Sequence, residues 1–168
     1  MNKESSQDIN LSQTHCIFFI YYAFACYNNG EEQEIDIKKI ISYMKKWEPN
    51  NDLCSKIMKE TVMWSSSVIK SSEEAISTIF SMADYLNSEK GFNTAKKEQI
   101  LLDIRAISRS NGIFSEKEKK WHDLLAHNLN MNLRVSVCSI NDIENSAKGL
   151  KRKKIGFVKK LIKMKMIH

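Results

Sequence analysis

Proline occurs once in this 168-residue chain, at Pro49, and glycine only five times. So few breakers argue against an all-β sandwich, whose many turns need them. They leave room for long helices built from Lys, Glu, Ile and Met. No run of 18 apolar residues occurs, so no segment reads as a membrane-spanning helix. The most apolar stretch, Cys16 to Cys26, follows a polar, mixed-charge leader (Met1 to Gln13) with no small-residue cleavage signal. It therefore reads as a buried helix rather than a signal peptide. The four cysteines, Cys16, Cys26, Cys54 and Cys138, form no CxxC pair, which predicts buried free thiols in a reducing cytoplasm. Acidic residues are absent from Lys148 to His168, where nine Lys/Arg lie. Removing these from the totals of 26 basic and 20 acidic residues leaves 17 against 20 in Met1 to Ala147. The net charge of +6 thus comes from a basic tail on a slightly acidic body.

What is present is helical periodicity. A helix starting between Asn10 and Ser12 and ending near Tyr27 is apolar nearly all round, as a central helix is. Asn28-Asn29-Gly30 ends it. A second helix runs from about Glu32 to Trp47 with the stripe Ile37, Ile40, Ile41 and Met44, and Pro49 closes it. Asn51 or Asp52 is the expected cap of a third helix carrying Leu53, Ile57 and Trp64. Ser71-Ser72-Glu73-Glu74 is a capping box opening a fourth, with Ile76, Ile79, Phe80, Ala83 and Leu86 inward and Gly91 beyond its end. Thr94 is the expected cap of a fifth, with Ile100, Leu101, Ile104 and Ile107 inward, ending at Ser110-Asn111-Gly112. Ser115-Glu116-Lys117-Glu118 is a second capping box, and Trp121, Leu124, Leu125 and Leu129 form the stripe of the sixth. Leu133, Val135 and Val137 alternate as extended chain would, Ser139 to Asp142 resembles one more helix start, and the basic tail is amphipathic.

The chain also repeats itself. Helix one, Asn29-Gly30 and helix two overlay on helix five, Asn111-Gly112 and helix six, with the Asn-Gly pairs offset by 82 and the glutamates Glu34 and Glu118 by 84. This predicts two helical hairpins of one design around a pseudo-twofold axis, neither able to bury its apolar face alone. The expected fold is an all-α bundle of six to seven helices over residues 12–131, followed by a partly helical basic extension over 132–168.

The stretch Ile104 to Glu118 resembles the signature of the TerB-like, tellurite-resistance family: an apolar helix, Asp-Gly, a variable residue, an aliphatic or aromatic one, Ser, two variable residues and Glu. Ala23 to Glu31 is similar. The resemblance implies an all-α module without established catalysis, linked to stress responses and membrane-associated complexes. It also implies an acidic surface at the paired loops that binds metal ions or partners. Asn29 and Asn111 replace both motif aspartates here, and an amide cannot supply the anionic oxygen that a hard cation prefers.

Two sets of candidate site residues follow. Glu31, Glu32, Glu34, Asn111, Glu118 and His122 are those that would line a ligand or divalent-cation site; Glu118 and His122 stand one helical turn apart. The competing reading makes Glu118 a helix-capping residue. Lys151, Arg152, Lys153, Lys154, Lys159, Lys160 and Lys163 would meet an anionic surface. Their alternation with Ile155, Val158, Leu161 and Ile162 suits a membrane face. Nucleic acid fits less well, because Phe157 is the one interleaved aromatic. The sequence has no Gly-rich phosphate loop, nucleophile elbow or His-Glu-x-x-His array, so no catalytic residue and no resident cofactor are expected. The leading expectation is a cytoplasmic module, peripheral at the membrane through its tail, that binds a protein partner. A calcium- or zinc-binding stress protein is the alternative. Oligomeric state is left open by the sequence.

Overall fold

The computed structural model describes residues 11–27, 37–109 and 114–135. They form six helices: α1 (Gln13–Cys26), α2 (Ile37–Met44), α3 (Asn51–Val68), α4 (Ser72–Ser88), α5 (Thr94–Arg109) and α6 (Glu116–Asn128). No strand occurs among the described residues. The described residues build the expected all-α bundle.

Helix α1 is the hub. It packs against α2, α3, α4 and α5, while α6 packs on α4 and α5. Ile17, Phe18, Phe19, Ile20, Tyr21 and Phe24 are each at most 1% exposed, so every side of the helix faces protein. Burial of each such side chain contributes up to roughly 1.5–3 kcal/mol. Phe19 meets Trp64 of α3 edge-on, and Phe24 meets Trp121 of α6 likewise. The inward stripes read from the sequence on α4, α5 and α6 are all buried.

Caps fix where the helices begin. Ser12 caps α1, with the third residue of the box being a histidine: His15 N–H donates to Ser12 Oγ, and Ser12 N–H donates to His15 Nδ1 at 3.1 Å. That leaves the His15 Nε2 proton to bond Glu60 of α3 at 2.8 Å. Ser115 and Glu118 form the predicted capping box of α6. Ser71 caps α4 as expected, but Glu74 reaches one residue further back, to the Lys70 amide at 2.7 Å.

The remaining boundaries differ from the expectations by small amounts with visible causes. The cap of α3 is Asn50, whose Oδ1 accepts the Leu53 amide, rather than Asn51 or Asp52. Leu53, expected inward, is exposed, and Cys54 takes the inward position beside Ile57. At α5 the side chain of Asn93, rather than Thr94, accepts the Lys96 amide. Helix α2 ends at Met44 rather than Trp47, because residues 45–47 turn back with Lys46 N–H on the Tyr43 carbonyl and Trp47 N–H on that of Met44. Its expected start near Glu32, the Asn-Gly loops, and the structure expected beyond Val135 lie outside the described residues. Gly91 takes a left-handed φ of 82° after α4, a conformation that costs glycine nothing. Asn130 does the same after α6, at 58°.

Candidate functional site at the junction of helices five and six

Of the six proposed ligand-site residues, the described structure contains two, Glu118 and His122, both on the first two turns of α6. Both are buried. Glu118 is 1% exposed and His122 fully enclosed, so Glu118 adds nothing to an acidic surface. Its Oε2 accepts the Ser115 amide at 2.8 Å. Glu31, Glu32, Glu34 and Asn111 lie outside the described residues, as do all seven tail positions from Lys151 to Lys163.

His122 is fixed by two partners. Arg105 of α5 donates its Nε–H to His122 Nε2 at 3.0 Å. A nitrogen that accepts from a guanidinium must carry a lone pair, so the ring proton sits on Nδ1 and is donated to Asp123 Oδ1, also at 3.0 Å. Burial, first of all, and the nearby guanidinium lower the imidazole's affinity for a second proton; the Asp123 carboxylate opposes them without prevailing. Phe114 covers the ring edge-on. With both nitrogens engaged inside the fold, His122 has no free lone pair to offer a cation or a substrate. Among the described residues, no three His, Cys, Asp or Glu side chains come together in a way that could hold a metal ion.

Asp123, 2% exposed, has a second task. Its Oδ1 accepts the Val135 amide at 2.8 Å. Residues 131–135 thereby lie back along α6, with Met131 and Leu133 half-buried against the core. This segment is irregular chain rather than a paired strand.

A second buried polar cluster was not anticipated from the sequence. Asp103 of α5 is 2% exposed yet accepts three hydrogen bonds: from Tyr21 Oη at 2.6 Å, Lys46 Nζ at 2.8 Å and Gln99 Nε2 at 2.8 Å. Tyr21 Oη accepts in turn from Trp47 Nε1 at 3.1 Å. The cluster pins the turn after α2 onto α1 and α5. Burial, then the Asp103 carboxylate, push the Tyr21 phenol far above its ordinary titration range, so it remains a donor. The one clue in the sequence is an aspartate sitting inside the apolar stripe of Ile100, Ile104 and Ile107. Two of its three partners are remote: Tyr21 lies 82 residues away and Lys46 lies 57.

The separation of 82 residues equals that of the two Asn-Gly pairs. Tyr21 and Asp103 thus occupy the same position in the two copies of the sequence repeat, and they bond directly to each other.

Cys16 and Cys54 are buried and in no disulfide, as expected, whereas Cys26 is only half-buried; Cys138 lies outside the described residues. Burial pushes the Cys26 thiol up to about 11, which keeps it protonated and unreactive near neutrality. No helix among the described residues is long and apolar enough to cross a membrane. No family model matches the chain, and no curated protein or solved structure matches it significantly.

Proposed function

We propose that the chain is a TerB-like helical module that acts without catalysis, as an interaction or scaffold component for a protein partner, held near an anionic membrane by its basic tail. The observation that carries this reading is the Tyr21–Asp103 bond. In an assembly of two like hairpins about a pseudo-twofold axis, residues at equivalent positions can meet only close to that axis. A direct bond between two such residues is compatible with such a repeat and supports it. The buried polar groups support the non-catalytic reading. Asp103, Glu118, His122 and Asp123 are enclosed and bonded to the fold itself, which is how such groups serve architecture.

The test is purification of the tagged chain from its native cell under gentle conditions. A partner recovered in fixed stoichiometry, with a complex that re-forms from the two purified components, supports the scaffold role. A chain that emerges alone and shows a saturable calcium or zinc heat by calorimetry replaces it with the cation-binding alternative. In that case the heat disappears in Glu34→Gln. Glu118→Gln separates the two roles of that residue: loss of the heat at unchanged melting temperature assigns it to the ligand, whereas a lower melting temperature with the heat intact assigns it to the cap.

A further inference from the structure

The second hairpin carries a charge asymmetry that composition conceals. Between Asn93 and Val135 the sequence has eight Lys/Arg and five Asp/Glu, an unremarkable balance. The fold sorts them. Asp103, Glu118 and Asp123 are buried, and each is bonded to internal partners. Glu98 and Glu116 alone remain at the surface, while all eight basic side chains are exposed or half-exposed. The outer surface of α5, α6 and the segment after them therefore presents eight positive groups against two negative ones. Among the described residues, the only one of the eight with a carboxylate at ion-pair distance is Lys119, 3.0 Å from Glu116. Residues 148–168 add nine more basic groups and no acidic one.

We propose that the α5–α6 hairpin is itself a docking face for an anionic phospholipid bilayer, with Arg109, Lys117 and Lys120 among its contacts. This does not rest on the Asn-Gly loops, on the repeat or on the tail. Two observations favour lipid over nucleic acid. Leu102, 48% exposed, shares its face of α5 with Arg105 and Arg109 as well as Glu98, and an aliphatic group beside Arg suits the headgroup–acyl boundary. Phe92 and Trp121 are buried and Phe114 is half-buried against His122, so no exposed Phe, Tyr or Trp ring of this hairpin is available for bases to stack on. The partner chemistry is a surface dense in phosphate charge, to which each nearby basic side chain adds about fivefold in binding.

Sedimentation of the full-length chain with vesicles tests this. The wild type is expected to bind phosphatidylglycerol-containing vesicles and not pure phosphatidylcholine, with affinity falling as salt rises. With the tail intact, the combined variant Arg109→Glu/Lys117→Glu/Lys120→Glu is expected to bind at least about tenfold more weakly. The same three positions changed to Gln give a smaller loss, and serve as the decisive variant if the Glu form fails to melt cooperatively by circular dichroism. Folded variants that sediment like the wild type overturn the proposal and leave membrane contact to residues 148–168. Equal binding to neutral vesicles, or none to anionic ones, overturns it too. So does displacement from vesicles by a single-stranded RNA whose own binding is lost in the hairpin variants, which would reassign the face to nucleic acid.

Discussion

Replacing Tyr21 with Phe removes one oxygen from the centre of the bundle and changes almost nothing else. That oxygen donates to the Asp103 carboxylate at 2.6 Å and accepts from Trp47 Nε1 at 3.1 Å. A hydrogen bond to a charged group contributes roughly 1.5–3 kcal/mol, and an enclosed donor left without a partner costs about 1–3 kcal/mol. The Trp47 side recovers part of its loss, because that residue is only half-buried and water can reach the indole. Asp103 keeps Lys46 and Gln99. The net expectation is about 2 kcal/mol of destabilisation, which for a chain of this size is a fall of roughly 4–8 °C in Tm. Urea unfolding followed by far-UV circular dichroism reads it directly. The Asp103→Asn variant and the double variant complete a cycle, in which the coupling should exceed about 1 kcal/mol because the groups are in contact. A Tyr21→Phe loss below about 0.5 kcal/mol, with no coupling to Asp103, would refute the assignment of this cluster as the clasp between α1, α5 and the turn after α2.

Acid should weaken the fold through His122. Its folded-state proton affinity is lowered, chiefly by burial, so as pH falls below the ordinary histidine value of about 6.5 the unfolded chain takes up the proton first. The contribution of His122 is therefore complete above that pH and is lost progressively beneath it, down to the folded-state value. The urea midpoint should drop across this window, and a His122→Gln variant should show a shallower drop; an equal slope in the two proteins would show that other groups are responsible. Ser115→Ala removes the cap of α6, freeing the Glu118 amide from Ser115 Oγ, and should cost about 1 kcal/mol in the same assay. No measurable change there would mean that Glu118 alone secures the helix start.

Much of the bundle was legible because its signals are local. Ser12, Ser71 and Ser115 act on amides three residues ahead of them, and the stripes on α4 to α6 repeat within a turn or two. The one-residue errors at α3 and α5 share a cause: asparagine and its neighbours compete for the cap, and only the backbone geometry decides that Asn50 and Asn93 prevail. The polar interior was not legible. Asp103, Asp123 and Arg105 are charged residues in a helical pattern, and what fixes them is a partner their own helix does not reveal: Tyr21 of α1 for Asp103, the Val135 amide for Asp123 and His122 of α6 for Arg105. For Glu118 the two readings of the sequence differed in whether the carboxylate faces solvent or its own helix start. It bonds the Ser115 amide and is buried. The tail and the first loop lie outside the described residues, so the readings placed there remain as the sequence left them.

Helix α1, buried on every side, has a consequence for the newborn chain. α5, which covers one of its faces, ends 83 residues after Cys26 and so leaves the ribosome later. At translation rates of roughly 5–20 residues per second, the interval is about 4–17 s. For that time a helix bearing Phe18, Phe19, Phe24 and five further enclosed apolar groups has no complete shelter. Until α5 emerges, those groups are open to a chaperone or to the wrong neighbour.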